Sequence, residues 1–510
     1  MRAALVLLAG LLAAGCVTPS AGPLPSAADH ATLCVAGLCD LEATVEPDAR
    51  QANELSIAVN PLDPLNIIAT GKDYTPGQAG DCTWAGVYAT HDGGKTWTDQ
   101  NVPGSPWARL ADPTAPQTMF TKYWCATDPV VAFGPDGRAY WTVMPYQCDP
   151  ATGSKTGRGT LPQGGFNDWA WSCSAMAVLV SDDGGDTWPL DKARIVVEGP
   201  RLAHDKQWLA VSPAGDMVLL CWDYANPVGQ TAPLPASPPD ADDPLYLTQP
   251  SSVVCSKSTD RGDTWSAMTV ATDAGGFPWI DFSADGHVWM ALAEGFEEGQ
   301  ILVTHSEDGL TWDEPVPIAN FTNGPERNEY GWPTLRGSLF RLVPYGSLAV
   351  DRSAAHAGRV YVTYFDHAGT NGEALLTWSD DHGTTWTAPK RVSDDAGEAD
   401  QFMPVVSVGP DGTVDLSWQD RRDDAQNHLF DTYYAYSVDG GATLSRNVRI
   451  TSVSSDEQWS HHQNGMVFLG DYRDSDSAVA GRASFVWVDT RHEKADVFVA
   501  TVERPSAMEG

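Results

Sequence analysis

This chain is poor in positive charge, in cysteine and in long apolar runs, and each shortage removes a class of function. Lys and Arg number 31 against 67 Asp and Glu over 510 residues, a net charge of -36. A surface that acidic repels a phosphate backbone, so nucleic acid is excluded as a partner. No glycine-rich phosphate loop, serine-nucleophile elbow or HExxH helix occurs, so nucleotide hydrolysis, serine-hydrolase chemistry and zinc proteolysis lack their sequence supports. The nine cysteines show no zinc-site spacing with histidines, which leaves metal binding without a ligand set.

The one sustained apolar run is at the start. Residues 1–16 (MRAALVLLAGLLAAGC) place a basic residue before a stretch too short to span a bilayer and close on small residues and Cys16, the pattern of an export signal. Its ending resembles a lipoprotein signal, in which Cys16 would become the lipidated N-terminus. Ala13 stands where such signals carry Leu, so plain secretion stays open. Residues 17–40, rich in Pro, Ala and Ser, read as a tether, 41–504 as the folded domain and 505–510 as a disordered tail. Eight cysteines remain after Cys16, an even number that fits disulfides in an exported chain. Cys221 and Cys255 fall on strands expected to be adjacent; Cys34 with Cys39, Cys82 with Cys125, and Cys148 with Cys173 are pairings by proximity along the chain.

What the sequence has in abundance is one short phrase. It appears at 90–97 (THDGGKTW), 181–188 (SDDGGDTW), 258–265 (STDRGDTW), 306–312 (SEDGLTW), 379–386 (SDDHGTTW) and 437–444 (SVDGGATL). Asp accepts backbone N–H bonds a few residues on, Gly supplies the positive φ of a tight turn, and Thr-Trp re-enters a strand. Each phrase therefore closes a β-hairpin, and a β-branched or aromatic run precedes it. The phrase is an Asp-box, and an array of six resembles the sialidase superfamily of β-propellers, which carry this turn between the third and fourth strands of a blade.

Strand, turn, strand, loop, strand, box, strand recurs over 55–102, 129–198, 207–271, 278–319, 346–392 and 402–451, six blades of four antiparallel strands. A boxless seventh unit follows, because 483–491 and 495–502 echo the second and third strands of the sixth. The segment 41–46 would complete it and leave no open edge. The expected fold is thus an all-β propeller of seven blades, with the six blades of sialidases as the alternative.

In that topology the boxes share one face, face B, and the starts of first strands and ends of second strands share the other, face A. Asp92, Asp183, Asp260, Asp308, Asp381 and Asp439 are then structural turn locks. The long insertions decorate face A, which makes it the candidate for binding and chemistry. Second-strand ends bring Asp73, Asp223, Glu294, Asp366, Asp420-Arg421-Arg422 and Asp489-Thr490-Arg491 there; first-strand starts add Glu54, Asp128, Asp205-Lys206 and Gln401, with Asp471-Tyr472 nearby. Crowded carboxylates repel and spread their pKa values, as an acid and base pair requires. Asp73, Asp223, Asp366, Asp420 and Asp489 could bind substrate hydroxyls, or they could cap loops.

The sialidase resemblance implies a retaining glycosidase in which arginines hold the substrate carboxylate, an Asp serves as acid/base and a Tyr acts as nucleophile. By that resemblance Arg421 and Arg491 are the carboxylate binders, Tyr472 or Tyr224 the nucleophile, and Asp128 or Asp205 the acid. The Arg-Ile-Pro motif of the first sialidase blade has no counterpart, since this strand reads Glu54-Leu55-Ser56-Ile57-Ala58. Arg336 or Arg341 could supply a third arginine from a loop. A glycan or glycoconjugate is the expected partner, the membrane is reached only through the lipid, and oligomeric state is not legible. Trp169, Trp171, Trp332 and Trp459 are candidates for stacking on sugars, while His461-His462 reads as exposed loop and His204 as structural or catalytic. No organic cofactor is implied; Asp471, Asp474 and Asp476 leave room for a structural calcium. The alternative to an enzyme is a propeller that binds a protein or polysaccharide at the cell surface.

Overall fold

The computed structural model describes residues 41–42, 51–74, 83–105, 114, 117–148, 173–200, 204–225, 251–463 and 466–504. The export signal, the tether and the tail lie outside them, as do Cys16, Cys34, Cys39, Cys82, Trp169 and Trp171. The described chain forms seven four-stranded antiparallel sheets. Blade 1 is Ala52–Val59, Ile67–Asp73, Trp84–Thr90 and Thr98–Asn101, paired in that order. The first strands of blades 2 to 6 are Tyr123–Phe133, His204–Val211, Gly276–Phe282, Ser347–Val350 and Gln401–Val408. Blade 7 is Ser475–Asp476, Arg482–Asp489 and Asp496–Glu503, closed on its outer side by Leu41–Glu42. First strands touch in sequence from blade 1 to blade 7 and back to blade 1, so the ring is closed.

The closing seam pairs Leu41 with Val499 and Glu42 with Phe498. Inside, side chains staple first strands together. Asp474 accepts from Ser56 Oγ at 2.8 Å and Ile57 N at 3.2 Å, and Asp476 accepts from Val59 N at 2.7 Å, fastening blade 7 to blade 1. With Asp471 engaged elsewhere, the three carboxylates suggested for calcium diverge. Among the described residues no group of three His, Cys, Asp or Glu is placed to hold a metal ion.

The six turns share one bond set. Thr90 Oγ1 donates to Asp92 Oδ1 at 2.8 Å and accepts from Gly94 N at 2.9 Å; Asp92 takes the Thr96 amide at 2.9 Å and its hydroxyl at 2.7 Å. The same four bonds form around Asp183, Asp260, Asp308, Asp381 and Asp439. Glycine is required in these turns for more than its φ. At Gly185 (φ +96) an added Cβ would lie 2.8 Å from Ile68 Cδ1, because the turns of blades 2 to 6 pack on the blade before them. Thr90 pairs with Ile67 while Trp84 pairs with Asp73, so the turns sit at the strand ends opposite Asp73.

Cys221 and Cys255 are cross-strand partners and form a disulfide. Cys125 is also disulfide-bonded. The backbone places Cys148 opposite Cys173.

Candidate functional site

Five first strands share an irregularity that the sequence reading did not contain. Their register breaks between Asn53 and Ser56, Thr127 and Val130, Asp205 and Trp208, Gly276 and Trp279, and Phe402 and Val405. At each break one non-glycine residue is left-handed: Glu54 (φ 54), Asp128 (φ 50), Lys206 (φ 48), Phe277 (φ 57) and Met403 (φ 49). Such bulges re-aim a side chain and hold the backbone in a sparsely populated region, a pairing that recurs at functional sites. One signal was available, since Pro129, Pro278 and Pro404 follow three of these residues and a proline inside a strand belongs at a bulge. The expected strand starts at Pro129 and Pro278 are accordingly corrected to Tyr123 and Gly276.

Three bulge residues meet at the centre of face A. Lys206 Nζ lies 2.8 Å from Glu54 Oε1, 3.2 Å from Asp128 Oδ2 and 2.7 Å from Asp471 Oδ2. Lys72 Nζ is 3.3 Å from Glu54 Oε2. Arg341 reaches in from the connection before blade 5, with Nε 2.8 Å from Asp471 Oδ1 and Nη2 on Oδ2. Gly470 (φ +96) lets blade 7 approach so closely that an added Cβ would lie 2.6 Å from Glu54 N. Three carboxylates and three cations, from blades 1, 2 and 3 and the connections before blades 5 and 7, thus meet, all of them buried except the half-buried Arg341.

Their environments push the carboxyls apart. Burial, reinforced by Asp128, drives Glu54 up to about 7. Burial acts the same way on Asp471, but Arg341 and Lys206 overcome it and hold that carboxyl well below the usual range. Despite its burial Lys206 is kept protonated by Asp128, Asp471 and Glu54. Burial and the charges of Asp128 and Glu54 hold the Tyr472 phenol neutral. One carboxyl that gains a proton near neutrality beside one that stays ionised is the arrangement acid/base chemistry uses.

Aromatic rings surround the cluster. Trp208 stacks on Trp279 at 3.6 Å, Trp279 faces Tyr345 at 5.8 Å, and Tyr472 meets Trp208 edge-on at 5.8 Å. With Lys206, Gln207, Phe277, Pro278 and Asp471 they line a depression of about 20 Å³, room for about one water. Arg341 is held between Trp332 and Phe468, 5.1 and 4.8 Å from their ring centres. His461 is not exposed loop but lies on a short strand stacked on Tyr74 at 3.4 Å; burial and the charge of Lys72 lower it to about 3. Trp459 is 41% exposed and Tyr330 47%, in the connections before blades 7 and 5.

The expected site residues divide. Asp128 and Tyr472 belong to the cluster. Asp205 is exposed beside it and accepts from Lys206 N at 2.9 Å, and Tyr224 stands outside, packed on the His204 ring at 5.3 Å. His204 accepts from Trp222 Nε1 at 2.8 Å, a structural bond. Asp73 is buried opposite Ala52 and Trp84. Asp223 and Asp366 bridge blades, taking the amides of Phe277 at 3.1 Å and Thr322 at 2.8 Å. Asp420 and Asp489 each hold the Trp two residues before and the Arg two residues after, at 2.7 to 3.1 Å.

The arginine clamp is corrected. Arg421 is wholly buried and bound to Glu457 Oε2 at 2.9 Å, Ser338 Oγ at 2.9 Å and Asn427 O at 3.0 Å. Arg491 folds back on Asp489. Neither touches the central cluster; both lock loops. Lys72 was missed altogether, although a lysine in a strand of small and apolar residues (IIATGKD) was its signal.

No protein-family model matches this chain, and no curated protein is significantly similar. Solved structures with a similar fold include the Hadza microbial sialidase Hz136, at 13% identity, 83% of this chain, 74% of the other and a TM-score of 0.44. The NanB sialidase of Streptococcus pneumoniae, as a mutant, is 10% identical over 92% of this chain and 71% of the other, TM-score 0.43. The GH93 alpha-L-arabinofuranosidase of Fusarium graminearum, in complex with arabinobiose, is 12% identical over 91% and 97%, TM-score 0.41.

Proposed function

We propose that this chain is an exported, lipid-anchored Asp-box propeller that binds glycans at the centre of face A and hydrolyses a glycosidic bond there. Glu54 is the proton donor and Asp471 the carboxylate that remains ionised. The observation that carries the reading is the gathering of Glu54, Asp128 and Asp471 around Lys206 beside the aromatic-lined depression of face A, where their surroundings push Glu54 and Asp471 in opposite directions. The Cys221–Cys255 disulfide supports an oxidising compartment. Support for an anionic sugar is weaker, because Arg341 is the one arginine that reaches the cluster among the described residues. A neutral terminal sugar is therefore the favoured substrate.

A panel of fluorogenic glycosides, sialosides included, tests this. The expected result is release by the native chain, with kcat/KM falling as pH rises through about 7, and no release by Glu54→Gln. Silence across the panel overturns hydrolysis. The second reading, a non-catalytic propeller that binds a polysaccharide or protein, is favoured by two facts: each cluster carboxylate is already paired with a cation, and the depression admits about one water. Binding on a glycan array without turnover would select it.

A further inference from the structure

Two residues that line the depression of face A, Gln207 and Tyr345, each carry a buried polar atom with no hydrogen-bond partner among the described residues. The atoms are Gln207 Oε1 and the Tyr345 hydroxyl, on side chains of residues 1% and 7% exposed. Gln207 Nε2 donates to Asp128 O, which fixes the amide and leaves its oxygen as the free end. Burial raises the Tyr345 phenol above its ordinary value, so it keeps its proton and can donate. Leaving a buried donor or acceptor unpaired is costly, and a ligand group that pairs both would relieve the cost.

The fold brings the two residues together from different blades. Gln207 sits in the register break between Asp205 and Trp208, the bulge that also turns Lys206 into the cluster. Tyr345 lies just ahead of Ser347–Val350, the first strand of blade 5. Trp279 of blade 4 stands between, stacked on Trp208 at 3.6 Å and facing Tyr345 at 5.8 Å with the ring planes 11° apart. The space thus has apolar walls, one acceptor and one donor, beside the ionised Asp471. That set matches an alcohol. A hydroxyl gives its proton to Gln207 Oε1 and accepts from Tyr345, whereas a carboxylate has no proton to give and meets the charge of Asp471. A methyl group leaves both atoms unpaired. The volume of about 20 Å³ takes one hydroxyl and no sugar ring, so the hydroxyl must stand off its ring on a methylene, which the Trp and Phe walls receive.

We propose that Gln207 and Tyr345 are specificity-determining residues that select a sugar bearing an exocyclic hydroxymethyl group, whose hydroxyl takes the depression. This rests on the reading of face A as a glycan site and names the substrate class within it. Matched fluorogenic glycosides in both anomers read the preference: galactoside against D-fucoside, L-arabinopyranoside and galacturonide, and glucoside against xyloside and glucuronide. The hydroxymethyl member of any hydrolysed set should have at least about tenfold higher kcat/KM. Tyr345→Phe should shrink that ratio about tenfold at unchanged Tm, because its hydroxyl bonds nothing in the protein. Equal rates within a set, or an unchanged ratio in Tyr345→Phe, overturn the selection and leave hydrolysis standing. Native crystals soaked in ethylene glycol, a hydroxymethyl probe without ring configuration, should show a hydroxyl about 3 Å from both atoms. If no glycoside is cleaved, hydrolysis fails and the soak decides. A hydroxyl seen in the native chain and lost in Tyr345→Phe upholds the selection; its absence from the native chain, or its persistence in the variant, overturns it.

Discussion

Both faces of this ring are built on carboxylates, but they use them in opposite ways. On the turn face Asp92 and its five counterparts bond partners within four residues, and the Thr96 amide and hydroxyl hold Asp92 down at about 2. On the other face Glu54, Asp128 and Asp471 come from segments far apart in the chain, are buried, and meet around one lysine. The first arrangement is a repeated local solution to a backbone problem; the second exists only once the ring has closed. A carboxylate that satisfies its own turn is inert, whereas carboxylates that must share a cation have pKa values that can be set apart.

The largest expected effect is at the shared cation. Lys206→Met leaves three buried carboxylates with one fewer partner and should cost about 3–5 kcal/mol by denaturant unfolding. A loss under about 1 kcal/mol would mean that the cluster is hydrated and that the two faces do not differ in kind. Arg421→Ala should cost about 3 kcal/mol for the same reason, because Glu457 is left buried and unpaired; a change in turnover at unchanged stability would return Arg421 to the site.

Glu54→Gln should remove activity while preserving the fold. Its pH signature is specific: Glu54 titrates near 7 in the native chain against 4.5 unfolded, so the folded state binds the extra proton between those values. Stability therefore falls as pH rises from about 4.5 through about 7, and Glu54→Gln should flatten that fall. Denaturation midpoints at pH 5 and pH 8 measure it. The smallest effect belongs to the turn face, where Asp183→Ala removes a local bond set and should cost about 1–2 kcal/mol without altering kcat/KM. A loss of turnover there would reverse the assignment of faces.

What could be read from the sequence follows the same division. Every determinant of a turn lies within eight residues, so six turns and their face were legible, and the echo of blade 6 in residues 483–502 exposed the seventh blade. The central cluster was half legible. Glu54, Asp128, Lys206 and Asp471 stood at the right strand ends, but their convergence depends on bulges that a hydrophobic pattern does not announce. Arg421 was misread because an arginine at a strand end looks available; only the fold brings Glu457 back over it. His461 was misread in the same way, since nothing near it in the chain foretells Tyr74.

The seam of the ring is two residues long, Leu41 with Val499 and Glu42 with Phe498. Those pairs lay a strand from ahead of blade 1 along the outer edge of blade 7. Blade 7 in turn packs on the first strand of blade 1, and beside that boundary Glu54 and Asp471 share Lys206. The seam is therefore a latch: without Leu41 and Glu42 the outer edge of Asp496–Glu503 would be left unpaired, in the blade that packs against blade 1.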